Sequence, residues 1–108
     1  MKPLNGNWKI VETELWGQDF VDLIEPGRVS FEGHEDGRII FGAVNIELDC
    51  RYKTVHKRPF VEFTFQGVND VDPVCGRGHA VLKSDTMMEG QLYFHYGDES
   101  WFIARKMD

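Results

Sequence analysis

The alternation in residues 46–52 and 61–65 constrains this chain more than any other feature. In "NIELDCRY", Ile46, Leu48, Cys50 and Tyr52 share one side of an extended strand; in "FVEFTF", Val61, Phe63 and Phe65 share one side. A hairpin register that sets Tyr52 against Val61 also sets Cys50 against Phe63 and Leu48 against Phe65. The same register places Arg51 opposite Glu62 and Asp49 opposite Thr64 on the other side. Two patterns agree on one register, as in a half-buried antiparallel pair. Arg51 and Glu62 are then expected to form an exposed cross-strand ion pair, worth well under about 1 kcal/mol.

The rest of the chain repeats this grammar. Turn signals recur at short spacing, and the stretches between them are rich in Val, Ile, Phe, Tyr and Trp. Eight strands are expected, at 7–14, 28–33, 38–43, 45–53, 60–67, 77–84, 90–96 and 100–106. "HEDG" (34–37), "TVHKRP" (54–59), "VNDVDPVCG" (68–76), "SDTMME" (84–89) and "YGDES" (96–100) supply connections. One segment breaks the pattern. "WGQDFVDLIEPG" (16–27) puts Phe20, Leu23 and Ile24 at helical spacing before Pro26-Gly27. It predicts a short helix over 18–24 whose apolar side covers one end of the sheet. The fold class is therefore all-β: an eight-stranded antiparallel up-and-down barrel with one short helix after the first strand, in a single domain over 1–108. Closure is expected by pairing of the first and last strands, which removes exposed edges.

The last two strands are ambiguous. "QLYFHY" is bulky on both faces, and "SWFIARK" sets Trp101 and Ile103 against Phe102 and Ala104. One face fills the core. The other leaves aromatic surface, with Tyr93, Trp101 and Phe102 as candidate interface residues that a second subunit would cover.

Composition narrows the function classes. A net charge of −6 argues against the phosphate backbone of nucleic acid and against anionic membranes, and favours solubility or a basic partner. No stretch approaches the roughly 20 apolar residues of a membrane helix, and "MKPLNGNW" has no apolar run of a signal peptide. Cys50 and Cys75 make no disulfide framework, and a reduced, cytoplasmic setting is expected. His34, His56, His79 and His95 form no paired ligand spacing, so no metal or other cofactor is expected. The acids of "NDVDP" (69–73) and "GDES" (97–100) fall at one barrel end by strand parity and read as a solvated rim. "CGRGHA" (75–80) surrounds Arg77 with glycines but precedes a strand, so a bulge or close strand approach is expected rather than a phosphate cradle.

Gly6-Asn7-Trp8 at the head of the first strand resembles the G-x-W signature of lipocalins and fatty-acid-binding proteins, the calycins. In those families a cation of the final strand packs across that Trp at the closed end. The resemblance gives this role to Arg105, with Gly6 and Trp8 completing the closure. Over the whole chain, the run Trp16, Asp22, Leu23, Pro26, with "DCRY" (49–52), "VEFTFQG" (61–67), "GRGHA" (76–80) and "FHYGDES" (94–100), resembles small bacterial proteins without an assigned activity.

The expected function is that of a non-enzymatic binding module. Its ligand is small and apolar or weakly acidic, held at the open barrel end, with Trp16, Phe20, Arg77 and His79 as candidate contacts. The alternative is a protein-interaction module or homodimer that uses the aromatic surface of the last two strands. Fourteen aromatic residues in an eight-stranded interior favour filling by side chains over a large cavity.

Overall fold

Eight strands follow one another around a closed barrel in the computed structural model, which describes residues 3–107. They are β1 (Gly6–Thr13), β2 (Arg28–Glu32), β3 (Asp36–Phe41), β4 (Val44–Val55), β5 (Arg58–Asn69), β6 (Asp72–Ser84), β7 (Met87–Phe94) and β8 (Glu99–Lys106), with the helix α1 (Gln18–Val21) between β1 and β2. Every strand pairs antiparallel with its chain neighbours, and β1 closes on β8. The all-β barrel is the architecture the alternation calls for, and it is compatible with a calycin-like fold.

The β4–β5 register is the one the sequence specifies: Tyr52 faces Val61, Cys50 faces Phe63 and Leu48 faces Phe65. The pairing runs further than the sequence indicates. Val55 still faces Arg58, so the connection is two residues, His56 and Lys57, both at positive φ (50° and 66°) as a two-residue hairpin turn requires. Strands β5 and β6 likewise pair out to Asn69 and Asp72, which reduces the long 68–76 loop to a turn at Asp70 and Val71. The expected Arg51–Glu62 ion pair is replaced. The two residues are cross-strand partners, but Arg51 turns to Asp49 and to Glu35 (3.7 Å), while Glu62 takes Lys53 (3.4 Å). All five are exposed, where several partners of near-equal energy compete.

The interior is filled by rings seated on glycines. Phe31 faces Gly37, Phe63 faces Gly78, Phe65 faces Gly76 and Phe102 faces Gly90 across adjacent strands. A Cβ on Gly90 would lie 2.2 Å from the Phe102 ring, and one on Gly78 would lie 2.8 Å from the Phe63 ring and 2.3 Å from the Gln91 carbonyl oxygen. Each glycine leaves the space its partner ring occupies. Burying a phenylalanine is worth about 1.5–3 kcal/mol, more than the roughly 0.5–1 kcal/mol that a strand glycine costs.

Two tryptophans close the ends. Trp8 is fully buried, and its indole N–H donates to the Leu4 carbonyl at 2.9 Å. The cation over its ring is Lys106, with Nζ 5.1 Å from the centroid, and not Arg105. Phe102 and Ala104 point inward, so the alternation puts Lys106 on their side and Arg105 on the solvent side, where it is exposed. At the other end Trp16 lies on Phe41 (4.7 Å between centroids) and meets Phe94 edge-on (6.2 Å). Its backbone N–H donates to the Thr13 hydroxyl at 3.0 Å, and the neighbouring Leu15 N–H donates to the buried Ser100 hydroxyl at 3.1 Å.

The helix is shorter than its sequence pattern. It stops at Val21 because the Asp22 carboxylate accepts the Gly27 N–H (2.8 Å) and the Gln18 amide (3.0 Å), which folds the chain back. These hydrogen bonds, from Gly27 first and then Gln18, hold the Asp22 carboxyl below the usual carboxylate range. Val21 is buried. Leu23 and Ile24, expected to face the sheet, are 65% and 70% exposed.

Two predictions follow from the packing. Gly90→Ala and Gly78→Ala are expected to cost about 1–3 kcal/mol each by overpacking, read as a lower urea midpoint at unchanged m-value. Lys106→Ala is expected to cost about 0.5–1 kcal/mol through the lost contact with the indole, whereas Arg105→Ala leaves the midpoint in place. The reverse order would return the closing role to Arg105.

Candidate functional site

At the open barrel end, where a small ligand is expected, the protein's own side chains fill the space beneath Trp16. The enclosed space beneath Trp16, lined by Ile10, Ile39, Phe41, Leu92 and Phe102 among others, measures about 10 Å³. That is at the threshold for one water molecule. Trp16 acts as a plug. Phe20 lies outside it, over Gly42 and edge-on to Phe41 at 6.4 Å.

The four candidate ligand contacts are therefore divided. Trp16 and Phe20 are at the open end, while Arg77 and His79 are on the outer side of β6. There the register assembles a different group. His79 faces Gln91, which faces Trp101; Arg77 faces Tyr93. The Arg77 guanidinium sits over the Tyr93 ring at 4.5 Å. His79 stacks on Phe60 with centroids 5.5 Å apart and planes 18° from parallel, and its ring is 6.5 Å from that of Tyr93. Val81 and Ile103 extend the same wall, half-buried. Shallow grooves of about 380 and 410 Å³ flank His79 on its two sides.

Of the candidate interface residues, Tyr93 and Trp101 face out, half-buried on this wall. Phe102 does not. It is 2% exposed and points inward against Gly90, so it belongs to the core. Phe60 is the member that sequence reasoning missed. The signal was present: Phe60 is out of phase with Val61, Phe63 and Phe65, an aromatic on the polar side of its strand.

Electrostatics on this wall are local. Burial beside Phe60, and then the Arg77 charge, push the His79 imidazole below its ordinary value, opposed by Glu62. Cys50, buried on β4, and Cys75, exposed on β6, are both free. Burial pushes the Cys50 thiol up to about 12, so it is protonated and unreactive at neutral pH, whereas Cys75 is exposed. Among the described residues no group of three His, Cys, Asp or Glu is placed to hold a metal ion, and no helix is long and apolar enough to cross a membrane.

The open end has a separate character. The α1 segment and the β3–β4, β5–β6 and β7–β8 turns meet there. Leu15, Phe20, Leu23, Ile24, Val71 and Tyr96 on these segments are exposed, with Val68 beside them; at the other end Met107 is exposed.

Comparison with protein-family models, with curated proteins and with solved structures gave no significant match.

The lowered His79 value carries a pH prediction. The unfolded imidazole titrates near 6.5, above the folded one. Its neutral form is favoured by folding, so the contribution is complete above that unfolded value. It declines as pH falls and the unfolded chain takes up the proton first. His79→Phe keeps a ring on Phe60 and removes the titration. The variant is expected to lose less stability than the parent between pH 7.5 and pH 5, measured by urea unfolding at both. An equal loss would place the acid sensitivity elsewhere.

Proposed function

We propose that the protein is a non-catalytic recognition module that pairs with another protein surface through the outer wall of β5–β8, a second copy of the chain being the simplest such surface. One observation carries the reading. The enclosed space beneath Trp16 is only about 10 Å³, while Phe60, Arg77, His79, Tyr93 and Trp101 gather on one outward wall. Aromatic residues and arginine dominate the energetics of protein interfaces. The concavities on this wall are shallow and open, which suits a broad surface better than an enclosed small molecule. A small apolar or weakly acidic ligand would have to rest on the plug rather than enter the barrel.

Charge supports pairing of like with like. The wall carries Arg58, Arg77, Lys83 and Arg105 against Glu62, Glu89 and Glu99, so it is close to neutral in a chain of net charge −6. Two copies can approach through it without strong repulsion. Closure of the barrel removes strand edges, which leaves side-chain faces to make the contact.

Sedimentation equilibrium tests the proposal. The expected result is reversible dimerisation at tens of micromolar, weakened about tenfold or more by Trp101→Ala and by Tyr93→Ala. Both side chains are half-exposed, so the variants retain the core. A wild-type chain that stays monomeric to about 1 mM, near −4 kcal/mol, would overturn self-pairing through this wall.

A further inference from the structure

We infer that the open end of the barrel is a second docking site, and that its occupant is a basic, amphipathic segment of a partner protein. The apolar residues make the site. Leu23 and Ile24 on the α1–β2 connection are 65% and 70% exposed, Val71 on the β5–β6 turn is 80% exposed and Tyr96 on the β7–β8 turn is 98% exposed, all at the same end. Exposed apolar side chains gathered at one end of a small barrel, with the opposite end closed by Trp8 and Lys106, mark a surface that is covered when the protein acts.

Charge selects the occupant. The segments 14–27, 42–43, 70–72 and 95–98 contain no Lys or Arg, and they carry Glu14, Asp19, Asp22, Glu25, Asp70, Asp72 and Asp98. Asp22 and Glu25 are partly neutralised by Lys9 (3.4 Å) and Arg28 (2.8 Å) from the barrel wall. Asp19, Asp70, Asp72 and Asp98 make no ion pair among the described residues. An end that carries exposed apolar side chains together with unpaired acids repels anionic lipid and nucleic acid, and it repels the same end of a second copy. It attracts a segment with an apolar stripe flanked by Lys or Arg.

The geometry offers room for such a segment. A groove of about 900 Å³ adjoins the rim over the outer side of β4 and β5 and under the β7–β8 turn. Val68, Val74 and Phe94 give it apolar surface; its Arg38 and Glu47 pair with each other at 3.4 Å, which leaves Asp98 as its unpaired acid, and Leu23, Ile24, Val71 and Tyr96 lie outside it. The closed barrel has no free strand to extend, so the segment is held by side chains and not by strand addition.

The test uses the full chain and two synthetic peptides of about 18 residues, long enough for a helix of five turns: one of Leu and Lys, one of Leu and Glu in the same pattern. Titration calorimetry is expected to show micromolar binding of the Leu/Lys peptide that weakens with added salt, and no binding of the Leu/Glu peptide. Leu23→Ser/Ile24→Ser is expected to weaken binding about tenfold, with an unchanged urea midpoint because both side chains are exposed. Asp70→Asn/Asp72→Asn is expected to reduce the salt dependence. Trp101→Ala is expected to bind as the parent does, which separates this site from the β5–β8 wall. Absence of Leu/Lys binding, equal binding of the Leu/Glu peptide, or unchanged binding by the Leu23/Ile24 variant would overturn the inference. So would equal recruitment to zwitterionic phosphatidylcholine vesicles, which would make the end a lipid-seeking surface.

Discussion

The seating of phenylalanine rings on glycines across adjacent strands is the constraint on which the rest of this structure depends. Eight strands enclose a narrow tube, and its inward positions cannot all be large. Gly37, Gly76, Gly78 and Gly90 give up their side-chain volume to Phe31, Phe65, Phe63 and Phe102 directly opposite. The exchange fixes register as well as volume. A slip of one residue would turn each ring to solvent and bring side chains such as His79 or Gln91 into the core. It also bears on the proposed function. With the rings in place and the ends covered by Trp8 and Trp16, the space beneath Trp16, among the described residues, is about the size of one water molecule, which favours the outer surface over the interior as the place where a partner would bind.

The same pairing explains which parts of the fold were legible in the sequence. The β4–β5 hairpin was readable because apolar and polar residues alternate without interruption over both strands, so each face confirms the other. Strand β8 was not. Trp101, Phe102, Ile103 and Ala104 are apolar on both sides, and its own pattern does not say which side is inside. That ambiguity gave an interface role to Phe102, and it left the strand's own pattern unable to correct the closing role that the resemblance gave to Arg105. The deciding residue lies on another strand: Gly90, which leaves space for the Phe102 ring and so sets Lys106 over Trp8. A glycine at an inward position opposite a phenylalanine is a readable signal once the register is known, and the register is a tertiary fact.

The α1 helix was legible, but its end and its buried side were not, for a different reason. Phe20, Leu23 and Ile24 have helical spacing, but periodicity says nothing about how a segment ends. Asp22 accepts the Gly27 N–H and the Gln18 amide, and these bonds stop the helix after one turn. Val21 then becomes the buried residue, its carbonyl accepting the Gly42 N–H at 2.9 Å, while Leu23 and Ile24 face solvent. The outer-wall site was half legible. Arg77, His79, Tyr93 and Trp101 were each noticed separately. Their assembly needed the β6–β7–β8 register, which puts His79, Gln91 and Trp101 in one row.

Charge is divided between walls and turns, and the division has mechanical consequences. On the walls, acids and bases alternate across strands and largely cancel, as with Lys53 and Glu62 or Lys83 and Glu89. Among the acids without an ion pair, Asp19, Asp70, Asp72 and Asp98 sit on or beside the connections of the open end, which hold no Lys or Arg to offset them. A field concentrated at one end of a barrel 37 Å long is felt by an approaching partner only within a Debye length, about 8 Å at physiological salt. On the proposed docking it would orient a cationic partner toward that end while leaving contacts proposed for the β5–β8 wall unaffected. The sealed interior makes this separation possible. A ligand-filled barrel would couple its mouth to its wall through the cavity, whereas a core of interlocked rings and glycines would let the two proposed outer surfaces act independently.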